Sequence, residues 1–308
     1  MLADVMNILR IAVLLAFLAL GTSARSQNLA GDMALSLVLI EGENWELVAE
    51  GYQFTDAPYA DAQGNFYFAD VARGSNIFKV GSDGKVVPFL GNAPKVSALK
   101  FGPDGRLYAC QGGLKRVIAF EIPSGKQTII AEGVEPNDFV VTRKGRIYIT
   151  ETSKKQVTLI DTNGTKRVVD TGINAPNGLT LSPDQGTLMV SDYRGTSVWA
   201  FRIEPDGTLS AKEPYMTVVT PVDKPEIASS DGMTTDWVGR YYVTTAVGLQ
   251  MFDSTGRLGG VISKPQSKPL SNVTFAGPKF DYLYVTCGDK IYRRKTKAHG
   301  MPPYPSKP

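Results

Sequence analysis

Residues 136–151 read PNDFVVTRKGRIYITE, and this stretch decides the fold. It predicts a polar turn, a short apolar strand, a Lys-Gly turn and a second, alternating strand. The same phrase starts again at Pro176, as PNGLTL, and at Asp231, as DGMTT. Self-similarity of this kind indicates a repeat architecture, in which one supersecondary unit recurs along the chain.

Six copies of the second strand can be aligned, at residues 66–70, 107–111, 147–151, 188–192, 241–245 and 283–287. Their second residues are Tyr67, Tyr108, Tyr148, Met189, Tyr242 and Tyr284, separated by 41, 40, 41, 53 and 42 positions. Units of about 40 residues with several short strands are typical of propeller blades. The sequence therefore predicts an all-β, six-bladed β-propeller, with the repeated aromatic residues packed inside the blades.

The two ends of the repeat array complement each other. The last unit lacks an outermost strand after residues 290–293, whereas residues 45–48 (WELV) form a strand with no place in the first unit. Pairing the two would close the ring and remove an exposed sheet edge. We therefore expect one propeller domain over residues 37–296 and a C-terminal tail over residues 297–308. The long fifth step predicts an inserted loop from Glu213 to Ser230.

The N-terminus predicts export. Residues 11–20 (IAVLLAFLAL) follow Arg10 and precede small residues up to Ala24, which is the pattern of a signal peptide over residues 1–24. The apolar run is too short for a comfortable membrane span. We expect a flexible segment over residues 25–36 and a periplasmic or extracellular protein with no membrane span after cleavage. Cys110 and Cys287 lie in different repeats and are expected to stay unpaired.

The amino-acid composition excludes several classes of binding partner and catalytic site. The formal net charge of the 308 residues is only +3 and is scattered, which argues against nucleic acid. The single histidine, His299, lies in the tail, so a zinc site of the His or Cys type and a His-based catalytic triad or dyad are excluded. The oligomeric state is left open.

Each repeat carries a short polar residue where its innermost strand begins. Counting back eleven residues from four of the tyrosines, and twelve from Met189 and Tyr284, reaches Asp56, Ser97, Asn137, Asn177, Asp231 and Asn272. In a propeller these six positions surround one end of the central channel. Side-chain oxygens that include two carboxylates suit a hard divalent cation, Ca²⁺ foremost, with Mg²⁺, Mn²⁺ and Zn²⁺ left open.

A purely structural explanation exists for these residues, because Asp, Asn and Ser are ordinary turn formers. The presence of two carboxylates favours a binding site instead. Carboxylates facing one channel without a cation repel each other and are costly to desolvate.

The phrases PNDFVV, PNGL and DGM resemble the senescence marker protein / gluconolactonase / luciferin-regenerating family of six-bladed propellers, from about residue 51 to 295. The resemblance implies that Asn177 and Asp231 bind a metal and that Asn137 lies near metal and substrate. Asp56 stands where the family has glutamate, so direct ligation by this shorter side chain is left open. Glu135 stands where animal members carry arginine, which leaves the substrate open.

The predicted function is an exported, cation-dependent hydrolase that opens a small-molecule or sugar-derived lactone, or a similar ester. The metal, held by Asp56, Asn177 and Asp231, would act as a Lewis acid, while Asp231 orients or deprotonates the water. Asn137, Asn272 and Ser97 are the predicted substrate-binding residues. The alternative is a non-catalytic exported propeller that binds a carbohydrate, peptide or envelope partner.

Overall fold

The computed structural model describes residues 35–73, 76–81 and 83–304. These residues form β-strands and three single-turn 3₁₀ helices, Leu35–Leu37, Gly112–Leu114 and Thr152–Lys154. The strands are β1 (Glu46–Ala49), β2 (Thr55–Ala60), β3 (Phe66–Asp70), β4 (Ile77–Val80), β5 (Val86–Leu90), β6 (Val96–Phe101), β7 (Leu107–Gln111), β8 (Arg116–Phe120), β9 (Gln127–Glu132), β10 (Phe139–Val141), β11 (Ile147–Glu151), β12 (Gln156–Ile160), β13 (Lys166–Thr171), β14 (Pro176–Leu181), β15 (Thr187–Asp192), β16 (Ser197–Ile203), β17 (Leu209–Thr217), β18 (Met233–Thr235), β19 (Tyr241–Thr245), β20 (Gly248–Phe252), β21 (Leu258–Ile262), β22 (Leu270–Ala276), β23 (Tyr282–Cys287) and β24 (Lys290–Lys295).

The strands form six antiparallel sheets of four, which confirms the predicted six-bladed propeller. Blades one to five are β2–β5, β6–β9, β10–β13, β14–β17 and β18–β21, each running in chain order from the innermost strand outward. Blade six consists of β22, β23 and β24, and its outermost strand is β1. Leu47 pairs with Tyr292 and Glu46 with Arg293, so the N-terminal strand closes the ring as the sequence predicts.

The second strand of each blade is buried on both faces, because neighbouring blades pack against each side of it. The aligned tyrosines are at most 5% exposed and Met189 is 1% exposed, so their interpretation as blade packing is confirmed. Three of the tyrosine hydroxyls donate hydrogen bonds to an aspartate of the preceding turn, over 2.7–2.9 Å. A buried phenol needs such an acceptor, and the turn aspartate provides one within the same blade.

The structure corrects the start of the predicted insertion. Glu213 belongs to β17, the outermost strand of blade four, and the irregular connection runs only from residue 218 to 232. Pro214 is tolerated in this strand because an outermost strand has one edge without a ladder, and the pairing with β16 shifts register beside it.

The tail crosses the channel at the end opposite the predicted site. Gly300 forms a bridge with Asp236, and the Tyr304 hydroxyl donates to the Val141 carbonyl over 2.8 Å. Cys110 and Cys287 are both buried and unpaired, as predicted. No helix in the described ranges is long and apolar enough to cross a membrane. The predicted signal peptide, residues 25–34 and residues 305–308 lie outside the described residues.

Candidate active site

The six predicted site residues lie where the innermost strands begin, but they divide into two levels of the channel. Asp56 pairs with Ala69, and Asn272 pairs with Thr286. Ala69 and Thr286 each lie two positions after the repeated tyrosine of their blade, and we call the level of their partners the deeper level. At the corresponding place in blade three, the structure has Asp138, whose carbonyl accepts the Thr150 N–H.

The remaining four residues lie one residue before the deeper level, which we call the upper level: Ser97, Asn137, Asn177 and Asp231. Each lies in a β-bulge of its innermost strand or just before that strand begins. In the last blade, counting back twelve residues from Tyr284 therefore reaches Asn272, which lies at the deeper level. In that blade, Ser271 occupies the position that matches Asn137 and Asp231.

The three deeper residues share one local structure. Each side chain accepts a hydrogen bond from the N–H of the following residue, at 2.8 Å for Asp56, 2.7 Å for Asp138 and 2.9 Å for Asn272. This bond fixes the direction of the side chain at the strand start, and Asx residues favour it. Asp138, which the sequence analysis did not select, thus belongs with the site.

Three carboxyl groups, those of Asp56, Asp138 and Asp231, form an acidic cluster in the channel. Burial raises the pKa of Asp56 to about 7, and repulsion from Asp138 adds to it. Burial also raises the pKa of Asp138, and that of Asp231 rises well above its usual value through burial and repulsion from the other two. Hydrogen bonding from Asn272 opposes the rise at Asp56 and Asp138. The fold holds together charges that repel, which is typical of functional sites.

Asn177 lies beside this cluster with an unused amide. The side chain is 8% exposed and makes no hydrogen bond to any residue in the described part of the chain. Its backbone carbonyl accepts the Thr150 hydroxyl over 2.5 Å. In the described part of the chain, the sealed side-chain atoms without a partner are Trp199 Nε1 and Arg294 Nε, so the Asn177 amide is not sealed off and is open to a ligand in the channel.

Two glycines let the innermost strands approach closely at the site. A Cβ atom at Gly178 would lie 2.3 Å from the carbonyl oxygen of Asp231. One at Gly232 would lie 2.0 Å from the Asn272 side chain. Glycine is therefore needed directly after Asn177 and directly after Asp231, because a side chain there would collide with the neighbouring blade where blades four, five and six converge.

Ser97 and Asn137 occupy a different part of the site. They line a cavity of about 510 Å³ at the channel mouth, together with Lys95, Lys115 and Glu135. The Ser97 hydroxyl donates to the Asn137 carbonyl over 2.6 Å, so it positions the backbone of the next blade. The structure thus brings Asp56, Asp231 and Asn272 together, with Asn177 adjoining, and places Ser97 and Asn137 at the entrance.

The donor set fits a hard divalent cation only if amide oxygens take part. Among the described residues, no three His, Cys, Asp or Glu side chains are arranged to hold a metal ion by themselves. Asp56 and Asp231 supply carboxylate oxygens, and the unpaired amide of Asn177 supplies a third, neutral oxygen. Carboxylates that repel each other beside an amide that is open to the channel are an environment that a cation would stabilise.

Comparison with known proteins gives a family and a fold. A family model described as SMP-30/Gluconolactonase/LRE-like region matches residues 54–289. A gluconolactonase of Zymomonas mobilis is 24% identical over 292 residues, covering 83% of this chain and 82% of the relative.

Two solved structures show the same fold. A gluconolactonase from Xanthomonas campestris has a TM-score of 0.76 at 21% identity, covering 88% of this chain and 94% of the other. A calcium-binding protein, regucalcin, from Agrobacterium tumefaciens has a TM-score of 0.71 at 16% identity, covering 85% of this chain and 97% of the other.

Proposed function

This chain belongs to the SMP-30/gluconolactonase/LRE-like family, and from that membership we propose that it is a cation-dependent lactonase that acts at the acidic end of its channel. The substrate class is a lactone or a similar ester, in keeping with the gluconolactonase relatives. Ca²⁺ is the favoured cation because the proposed ligands are hard oxygens and a structural neighbour is a calcium-binding protein.

One observation supports the proposal most strongly. The carboxyl groups of Asp56 and Asp231 are held close enough to raise the pKa of Asp231, next to the unpaired amide of Asn177. A ring of structural turns gains nothing from this arrangement, because burying like charges together is costly. Asp56, Asn177 and Asp231 would hold the cation, with Asp56 in the place of the family's longer glutamate.

A bound divalent cation would supply Lewis-acid polarisation of the lactone carbonyl. Asp231 would accept a proton from the attacking water as the general base, because it is the carboxylate of the proposed cation site that the sequence places at the start of the innermost strand of blade five. Asp231 then returns that proton to the ring oxygen as the acyl C–O bond breaks. Water is the only co-reactant, and the product is an open-chain hydroxy acid.

Substrate would enter through the cavity of about 510 Å³ at the channel mouth. Asn137 lines this cavity and would bind polar groups of the substrate, while the Ser97 hydroxyl holds the Asn137 backbone. The side-chain amide of Asn272 lies beside the carboxyl groups of Asp56 and Asp138 and opposes the rise in the pKa of both. Positioning of this kind supplies much of the rate enhancement in enzymes.

We place this activity outside the cytoplasm. The support is the apolar run at residues 11–20 with small residues up to Ala24. Determining the N-terminal sequence of the protein recovered from the culture medium or the periplasm tests this. A mature chain that still begins at Met1 would contradict export.

The deciding experiment compares Ca²⁺ binding by calorimetry in wild type, Asp231→Ala and Asp223→Ala. Asp223 is exposed in the connection before β18 and is a control for the loss of one negative charge. Wild type and Asp223→Ala should bind with equal affinity, and Asp231→Ala should lose binding by about 100-fold or more. Unchanged affinity of Asp231→Ala would sink the cation site.

A panel of sugar and aliphatic lactones, assayed with and without Ca²⁺, then tests the hydrolysis. Absence of turnover by a protein that binds Ca²⁺ would support the non-catalytic alternative.

A further inference from the structure

A second ring of six residues lines the channel at the end opposite the mouth. Each pairs across the strands with one of the repeated tyrosines or with Met189, so all six are at the same strand phase. We call them the lower ring: Tyr59, Lys100, Val140, Thr180, Thr234 and Thr274. All six line one cavity of about 310 Å³, the lower cavity, together with residues 301–304 of the tail. A cavity of this volume can hold a small molecule.

Lys100 brings an ammonium group to the lower cavity without an anionic partner. The side chain is half-buried, and it makes no ion pair within 4.0 Å and no hydrogen bond to any described residue. Its ammonium lies 4.7 Å from the centre of the Tyr59 ring. A ring face attracts a cation, but it does not supply the counter-charge that a partly desolvated ammonium requires. The lower cavity therefore offers a place for one anionic group.

The other basic residue of the lower cavity is already engaged at the rim. Arg143 is exposed, and its guanidinium donates to the Pro183 carbonyl over 3.2 Å. Lys100 is thus the basic group that the lower ring itself contributes.

Three hydroxyl groups of the lower ring are also without a partner. The side chains of Tyr59, Thr234 and Thr274 make no hydrogen bond to any described residue. Thr274 is only 7% exposed, but its hydroxyl is not sealed off from the cavity. The Thr180 hydroxyl differs, since it lies 3.1 Å from the Thr235 hydroxyl and shares a hydrogen bond with it. Hydroxyls at this depth are normally paired with protein, water or a ligand.

The unpaired groups follow one another around the ring. Thr234, Thr274, Tyr59 and Lys100 belong to blades five, six, one and two, which are neighbours in the closed propeller. The other half of the ring, from blades three and four, carries the valine and the paired threonine. A ligand that follows the polar half meets an ammonium at one end and three hydroxyls beyond it.

We propose that the lower cavity is a second ligand site, for a small carboxylate that carries hydroxyl groups. The Lys100 ammonium pairs with the carboxylate, and the hydroxyls of Tyr59, Thr234 and Thr274 exchange hydrogen bonds with those of the ligand. One ammonium matches a single negative charge, which favours a carboxylate over a phosphate dianion. The open-chain product of the proposed hydrolysis belongs to this class, but the assignment rests on the lower cavity alone.

The test is calorimetric titration with sodium gluconate, after divalent cations have been removed on a chelating resin. Gluconate has one carboxylate followed by a chain of hydroxyls. Wild type should bind it with a Kd of about 1 mM or tighter. Lys100→Met should weaken binding about 30-fold and Thr274→Val about 5-fold, because they remove a charged and a neutral hydrogen-bonding group.

Two control variants and two control ligands accompany this titration. Lys144→Met and Thr162→Val change exposed turn residues and should stay within about twofold of wild type. Sodium acetate supplies the charge without the hydroxyls, so wild type should bind it about 10-fold more weakly than gluconate. Inorganic phosphate should also bind more weakly, because a single ammonium faces its two charges.

Equal gluconate affinities in wild type, Lys100→Met and Thr274→Val would overturn the lower site, because they would place the ligand elsewhere. Absence of binding by wild type would overturn it too, as would acetate or phosphate binding at least as tightly as gluconate. If circular dichroism shows that Lys100→Met does not fold, Thr274→Val decides, since it removes one hydroxyl and no charge. The titration contains no Ca²⁺, so its failure leaves the proposed lactonase to the Ca²⁺ and lactone assays.

Discussion

The hydroxyl of Ser191 donates a hydrogen bond of 2.9 Å to the backbone carbonyl of Asp231, which lies in the next blade. Thr150 makes the same kind of bond to the carbonyl of Asn177. The second strand of one blade thus fixes the site residue of its neighbour. Both predicted metal ligands at the upper level of the channel are positioned in this way.

Ser191→Ala should therefore displace Asp231 without unfolding the protein. We expect a loss of about 1 kcal/mol in the free energy of unfolding and about a 10-fold loss in kcat, since small displacements at a site are costly. Urea denaturation and steady-state kinetics measure the two effects. Ser191→Thr is the matched control, because blades three, five and six carry threonine at this position, and it should retain activity. Equal kcat in Ser191→Ala and wild type would contradict the positioning role.

The raised pKa of Asp56 predicts an unusual pH dependence of the free energy of unfolding in the absence of cations. Burial raises its pKa in the folded protein to about 7 from the ordinary value of 3.8, so the folded state binds the proton more tightly than the unfolded state. The free energy of unfolding should then fall as the pH rises from about 4 to about 7. Thermal denaturation in chelator should show this slope, and Asp56→Asn should make it less steep.

Saturating Ca²⁺ should abolish most of that slope, since the bound ion stabilises the charged form. An Asp56→Asn protein with the wild-type slope would show that Asp56 is not the group responsible.

Glu151 should contribute stability in the opposite pH range. Burial alone would raise its pKa, but hydrogen bonds from Lys154, Thr158, Gln156 and the backbone N–H of Glu135 lower it to about 2. Glu151→Gln should lose about 3 kcal/mol at pH 7, because the charged acceptor disappears from a buried network.

The stability from Glu151 is present above its unfolded pKa and is lost as the pH falls toward 2, so the difference between variant and wild type should shrink at about pH 2.5. Urea denaturation at both pH values checks this. The control is Glu132→Gln, at an exposed site on the outermost strand β9, and it should change little. A loss that is equal at both pH values would argue for a packing effect.

Tyr304 should stabilise the closed end of the channel. Its hydroxyl donates to the Val141 carbonyl over 2.8 Å and accepts from the Gln185 amide over 2.7 Å. Tyr304→Phe should cost about 1–2 kcal/mol in thermal denaturation. Tyr292→Phe, at a half-buried residue of β24, is the control and should cost less. Equal losses would show that the two hydrogen bonds of Tyr304 contribute nothing.

Much of the fold follows from the sequence because blade strands repeat with a fixed phase. Tyr67 and its counterparts mark the buried second strand, and the β1 segment has no partner within its own unit. The extent of β17 was harder to predict, since Pro214 suggests a loop, whereas an outermost strand accommodates proline. The signal peptide stays a prediction.

The site was only partly predictable. Counting residues identifies Asn177 and Asp231, but it does not detect a β-bulge at the start of an innermost strand. Bulges at the strand starts place Asp138, and not Asn137, beside Asp56.

The pairing of Leu47 with Tyr292 spans 245 positions of the chain. During synthesis the N-terminal strand emerges first and meets its partner last, after five complete blades have formed. The ring cannot close until β24 is available to β1, so closure depends on the last strand of the sixth repeat. The strand that completes blade six thus acts as a check that all six repeats are present.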